Sequence, residues 1–92
     1  MSVIVYQFWS PTCTPCKAIK PSVDDLKEEF SQVTWVSVNT HDDNEGFATK
    51  YNVKVVPTIV VVSGSNVEKH SGTNIAGYYR IIRNGIRISQ QS

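Results

Sequence analysis

"FWSPTCTPCKAIKP", residues 8–21, sets two cysteines three positions apart with a proline between them. Such a pair can be half of a zinc site, a structural staple, or a disulfide that opens and closes as the protein works. The flanking sequence narrows the choice. Upstream, "VIVYQF" (residues 3–8) is a β-branched and aromatic run that reads as a buried strand. Downstream, Cys16, Ile19, Val23, Leu26 and Phe30 recur in steps of three and four, which predicts a helix from residue 14 to about residue 31. "DDLKEE" (residues 24–29) supplies its solvated face. The cysteines therefore lie past the C-terminal end of a strand, where a helix begins. Open α/β sheets place their chemistry outside the carboxyl ends of their strands.

A helix start presents unpaired backbone N–H groups and the positive end of the helix dipole. Both favour a thiolate, so Cys13 is expected to be exposed and activated. Cys16 lies one turn later on the apolar face and is expected to be more buried and less ionised. That asymmetry suits disulfide exchange. Pro15 fits the first helical turn, where its missing N–H has no intrahelical partner anyway. A structural zinc site needs four protein ligands, and the other candidates, His41 and His70, are distant in sequence and read as surface residues. A static bridge across one helical turn closes a tiny loop and stabilises little. Redox chemistry is the reading that remains.

Composition agrees. At 92 residues the chain is expected to form one domain, residues 1–92. A hydrophobic fraction of 40% with 18% charged residues is that of a globular protein. A net charge of +1 gives no broad footprint for nucleic acid or anionic lipid. No apolar run approaches the ~20 residues that span a bilayer. The start, "MSVIVYQFW", lacks a signal-peptide pattern, so the expected compartment is a reducing cytoplasm, where a lone cysteine pair is more often catalytic than structural.

Further along, "VTWVSV" (33–38) reads as a second strand and residues 43–51 as a short helix, with Asn52 suited to the left-handed conformation after it. "TIVVV" (58–62) is too apolar to alternate and reads as a central strand covered on both faces. Gly64-Ser65-Asn66 reads as a turn into an edge strand, "VEKHS" (67–71). A last helix is expected over residues 74–86, with Ile75, Tyr78, Tyr79, Ile82 and Ile86 inward. Its Arg80, Arg83 and Arg87 form a basic stripe, by default a solvated face. The order is β-α-β-α-β-β-α, with parallel crossovers early and an antiparallel hairpin late.

Three stretches carry a resemblance that covers nearly the whole chain. "FWSPTCTPCKAIKP" resembles the active-site segment of thioredoxins. "KYNVKVVPT" (50–58) resembles the stretch leading to their cis-proline, here Pro57, and "SGTNIAG" (71–77) resembles the glycine-containing entry to their last helix. The sequence is thus identified as a member of the thioredoxin family in a minimal form, without the extra N-terminal strand and helix. The resemblance implies a four-stranded mixed sheet with helices on both faces. It implies a cytoplasmic protein-disulfide reductase, monomeric and without metal or cofactor beyond its own dithiol. Cys13 would attack a substrate disulfide and Cys16 would resolve the mixed disulfide. Trp9, Thr14, Pro15 and Pro57 would support the pair. Thr12, Val56, Gly72 and Thr73 would line the groove for an extended substrate segment. Pro21 would kink the first helix. Thioredoxin reductase, or alternatively glutathione, would supply electrons.

Four positions depart from the family pattern. Thr12 replaces a tryptophan, and Thr14-Pro15 replaces Gly-Pro between the cysteines. Gln7 stands where an aspartate is usual, and Ser37 where a lysine is. A glutaredoxin-like enzyme using glutathione is the first alternative, but "SGTNIAG" lacks the expected Gly-Gly and following aspartate. A non-catalytic adaptor is the second, and the intact Cys13/Cys16 pair argues against it.

Overall fold

A computed structural model, which describes residues 2–90, contains β1 (Val3–Trp9), α1 (Thr14–Glu29), β2 (Thr34–Asn39), α2 (Phe47–Lys50), β3 (Thr58–Ser63), β4 (Asn66–Ser71) and α3 (Ile75–Gln90). Met1 and residues 91–92, the ends of the expected domain, lie outside the described residues. The strands form one mixed sheet in the order β2-β1-β3-β4.

The two central strands are the most apolar, as burial on both faces requires. On one face, Ile19, Val23 and Leu26 of α1 and Tyr78, Ile81 and Ile82 of α3 pack on Val5, Ile59 and Val61. On the other, Tyr6, Phe8, Val38 and Val60 are covered by Phe47, Tyr51, Val53 and Val56. Tyr6 sits between the Phe47 and Tyr51 rings, with centroids 4.9 and 5.0 Å away. The helix through Pro21 runs unbroken from Thr14 to Glu29. Ile81, not among the expected inward residues of α3, is buried, whereas Ile75, Tyr79 and Ile86 are only partly so.

Three expectations need correction. Only β2 runs parallel to β1; β3 pairs with β1 antiparallel, with Phe8 opposite Thr58. The reason is the length of the second crossover helix. Its four residues span only ~6 Å, against ~20 Å for a six-residue strand, so α2 does not carry the chain back along the sheet. Instead β3 starts at the end where β2 finishes. Second, α2 does not begin at Asp43. Gly46 is left-handed (φ 70°), which interrupts the helical path. Asp43 nevertheless accepts from the Phe47 and Ala48 amides at 3.0 and 2.8 Å, so it serves the helix start from outside. Third, Asn66 belongs to β4, paired with Ser63, leaving Gly64-Ser65 as a two-residue turn.

Gly85, a helix-interior residue, is where α3 approaches the central strand β3 closely. A Cβ there would lie 2.6 Å from Val61 Cγ1 and 2.9 Å from Ser63 Oγ, and that Oγ donates to the Gly85 carbonyl at 2.9 Å. In an open helix Gly→Ala gains about 1 kcal/mol. Here the neighbours belong to a central strand that cannot withdraw, so Gly85→Ala is expected to lower stability by about 1–3 kcal/mol. Urea unfolding checks this; a higher midpoint in the variant would refute the close approach.

Candidate active site

β1 delivers the chain to the site and stops at Trp9, whose carbonyl accepts from the Thr40 amide at 2.9 Å. The next residues form a tight turn, closed by the Cys13 amide on the Ser10 carbonyl at 3.2 Å. Cys13 is the N-cap of α1, in extended conformation (φ −92°, ψ 102°), and its Sγ accepts from the Cys16 amide at 3.1 Å. The sulfur thus takes the capping place usually held by an oxygen. Thr14 and Pro15 occupy the first turn and are exposed.

Cys13 and Cys16 are bonded to each other, their Cα atoms 5.2 Å apart. The expected difference in burial is not present. Cys13 is 8% exposed and Cys16 9%. In the bonded state the Cys13 sulfur folds over the helix start to meet both Cys16 Sγ and the Cys16 amide, which covers it. Cys16 does face inward with Ile19 and Val23, as the helical spacing requires.

On one side of the pair, the Trp9 indole N–H donates to Ser37 Oγ at 2.7 Å. Ser37 and Gln7 are register partners across β1 and β2. Gln7 Oε1 is buried, with no donor among the described residues. A cavity of about 330 Å³ opens here, bordered by Gln7, Trp9, Cys16, Ser37 and the lysines Lys17, Lys20 and Lys27.

On the other side, the Val56–Pro57 peptide bond is cis. Pro57 and Thr58 border one small cavity with Cys16, Trp9 and Gln7, so the proline loop and the disulfide meet. Pro57 is buried and Val56 half-buried. Gly72, at φ +103°, adopts a conformation closed to most L-residues, and its amide donates to the Pro57 carbonyl at 3.0 Å. Thr12 and Thr73 are exposed on the loops that flank Cys13 and Gly72.

Sequence reasoning missed several residues here. Val55, beside the proline loop, is 58% exposed. Tyr78 is fully buried, and its hydroxyl reaches the carbonyls of both Pro57 and Gly72. A tyrosine within an isoleucine-lined helix face was the available signal, because a buried phenol requires a partner. Burial pushes the Tyr78 phenol up to about 12. His70, expected at the surface, instead turns inward, its ring edge-on to Tyr78 with centroids 4.9 Å apart. Its place exists because Gly77 has no side chain: a Cβ there would lie 2.3 Å from the imidazole. His41 is exposed as expected, and so are Arg80, Arg83 and Arg87.

Among the described residues, no group of three or more His, Cys, Asp or Glu is arranged to hold a metal, and no helix is long and apolar enough to cross a membrane. The Thioredoxin family model matches residues 1–82. The chain belongs to the thioredoxin family. It is 41% identical to thioredoxin-T of Drosophila melanogaster over 66 residues, which cover 71% of this chain and 41% of that protein. To the thioredoxin of Porphyra purpurea it is 37% identical over 67 residues, 71% of this chain and 62% of that one. The matched regions thus span only about half the length of these relatives. Among solved structures, the thioredoxin of Fasciola hepatica superposes with a TM-score of 0.81 at 29% identity, covering 91% of this chain and 81% of that one.

The Tyr78 shift has a signed consequence in this thioredoxin fold. Burial favours the neutral phenol, so its contribution is complete below pH 10.0 and is lost as pH rises through about 12. Tyr6 is pushed up too, first by burial, and adds its own alkaline loss. The urea midpoint is expected to fall more steeply over that range in the wild type than in Tyr78→Phe. Parallel curves would contradict the assignment.

Proposed function

We propose that this protein is a thiol–disulfide oxidoreductase of thioredoxin type that reduces protein disulfides through Cys13 and Cys16. The observation that carries the reading is the Cys13 sulfur capping α1 and accepting the Cys16 amide, beside the Pro57 loop. A hydrogen-bonded sulfur at the positive end of a helix is poised as a thiolate.

In the reduced form, the Cys13 thiolate attacks one sulfur of a substrate disulfide, and the other sulfur leaves as a thiolate. Cys16, deprotonated, then attacks Cys13 Sγ; the second substrate sulfur leaves, and Cys13–Cys16 is restored as the disulfide. Two electrons pass to the substrate, and its two leaving thiolates take up protons. Thioredoxin reductase in the first instance, or two molecules of glutathione as the alternative, returns the two electrons by reducing the Cys13–Cys16 disulfide. No further cofactor is required. Trp9, Thr14 and Pro15 shape the surface around the pair. Thr12, Val56, Pro57, Gly72 and Thr73 receive an extended segment of the substrate. We place this activity in one domain, acting as a monomer in a reducing cytoplasmic compartment.

The roles of the sulfurs separate in two variants. Iodoacetamide is expected to modify Cys13 of the reduced protein much faster than Cys16 at neutral pH. Cys13→Ser is expected to abolish insulin reduction, whereas Cys16→Ser traps a covalent complex with the substrate. Equal alkylation of the two thiols, or activity in Cys13→Ser, would overturn the assignment.

Gln7 bears on the second step. Cys16 must lose its proton in an apolar setting that raises its pKa, and the Gln7 amide neither binds nor releases a proton near neutral pH. A carboxylate in its place would border the same cavity as Cys16. Gln7→Asp is expected to speed decay of the mixed disulfide toward the ~10²–10⁴-fold range of a positioned base. It is also expected to destabilise the oxidised fold by burying a charge, a cost that Ser37 cannot offset. Single-turnover kinetics check this, and unchanged or slower decay would show that resolution does not depend on a base at this position.

A further inference from the structure

The hydroxyl groups behind the Pro57 loop are more numerous than packing needs. Ile81 and Ile82 show what the inner face of α3 requires to fill its contact with the sheet, yet Tyr78 brings a phenol to the same buried layer. Burying a hydroxyl without a partner is costly. This one lies against two acceptors, 3.2 Å from the Pro57 carbonyl and closer still to that of Gly72. The Gly72 amide also donates to the Pro57 carbonyl, so the three groups form a closed knot. A second hydroxyl repeats the arrangement from the sheet side. Thr58, 1% exposed, donates from Oγ1 to the Val55 carbonyl at 2.7 Å and shares a 2.7 Å hydrogen bond with Ser71 Oγ. Segments 55–58 and 71–72 are thus tied to each other twice, from behind, by buried hydroxyls. The His70 ring, edge-on to Tyr78 and admitted by Gly77, holds the phenol from the remaining side.

We propose that the Tyr78 and Thr58 hydroxyls are positioning groups that hold the two backbone edges of the substrate groove at the spacing an extended polypeptide needs, and so give this protein its preference for polypeptide disulfides over small ones. The inference rests on the disulfide-reducing activity proposed above. Neither hydroxyl touches the sulfurs. Tyr78 acts through the Pro57 and Gly72 carbonyls, and Thr58 through the Val55 carbonyl and the Ser71 hydroxyl, on the segments that a polypeptide substrate would meet on its way to Cys13. Edges that are already ordered need no ordering on binding, which raises affinity without a new contact. A small disulfide reaches the Cys13 sulfur without engaging those edges and is indifferent to them.

The test uses the pre-reduced protein in single turnover against two substrates, insulin and hydroxyethyl disulfide. In Tyr78→Phe the half-saturating insulin concentration is expected to rise about five- to tenfold, the scale of one lost hydrogen bond, with the limiting rate unchanged. Its rate with hydroxyethyl disulfide and the alkylation rate of Cys13 are expected to stay at wild-type values. Thr58→Val, close to isosteric, is expected to show the same split and stands in should Tyr78→Phe not fold. His70→Ala, which removes a packing neighbour and no hydroxyl, is expected to lower Tm with little change in half-saturation. Unchanged insulin half-saturation in both hydroxyl variants would overturn the proposal. So would an equal loss on both substrates, which marks general destabilisation. Failure of the wild type to reduce either substrate would instead refute the activity on which the inference rests.

Discussion

The burial of β1 and β3 on both faces, as an antiparallel pair, is the constraint on which the site depends. Phe8 opposite Thr58 brings the exit of β1 beside the entry of β3. The chain leaves β1 through Trp9 and turns into α1 at Cys13; it enters β3 through Pro57. A disulfide and a proline loop separated by some forty residues therefore meet at one end of the sheet. A one-residue slip of this pairing would exchange the two buried layers of β3, taking Ile59 and Val61 out of their packing with α1 and α3 and putting Val60 in their place.

Around that end, polar groups are spent with economy. The Cys13 sulfur caps α1 and forms the disulfide with Cys16, so the geometry that starts the helix also sets this sulfur at its positive end. Ser37 accepts the Trp9 indole N–H and thereby fixes the wall of the cavity next to Cys16. Gln7 Oε1, and His70 Nε2 behind the Pro57 loop, are buried with no hydrogen-bond partner among the described residues. Such a group in a folded protein costs stability and is more readily understood at a site of chemistry than elsewhere. On the far side, Tyr78, Thr58 and Gly72 form a second polar layer that stabilises backbone rather than sulfur.

The lysine-rich border of the cavity modifies the contrast with relatives that the residue types alone suggest. Ser37 carries no charge to pair with a carboxylate at position 7, yet Lys17, Lys20 and Lys27 border the same cavity from α1. Lys20 is engaged with Asp24 at 3.0 Å, in an exposed pair that contributes little to stability. The charged side chains at this cavity, Asp24 among them, thus come from the helix surface instead of from the neighbouring strand.

The sequence by itself determined the features that depend on local periodicity. The apolar run of β1, the three- and four-residue steps of α1 and the all-apolar β3 are each readable within one element, and so is the placement of Cys13 and Cys16 at a helix start. The groove proposed at Pro57 and Gly72 rests on the resemblance of those stretches to a known family. What only the tertiary structure decided depends on contacts between elements. The direction of β3 came with a crossover whose four-residue helix does not run the length of the sheet. The equal cover of the two sulfurs followed from the bond between them. His70 turned inward because a glycine on another element left room for its ring, and the reach of Tyr78 to two carbonyls needed α3 docked on β3. Spacing along the chain encodes which face a residue lies on; what waits there is set by packing between segments far apart in sequence.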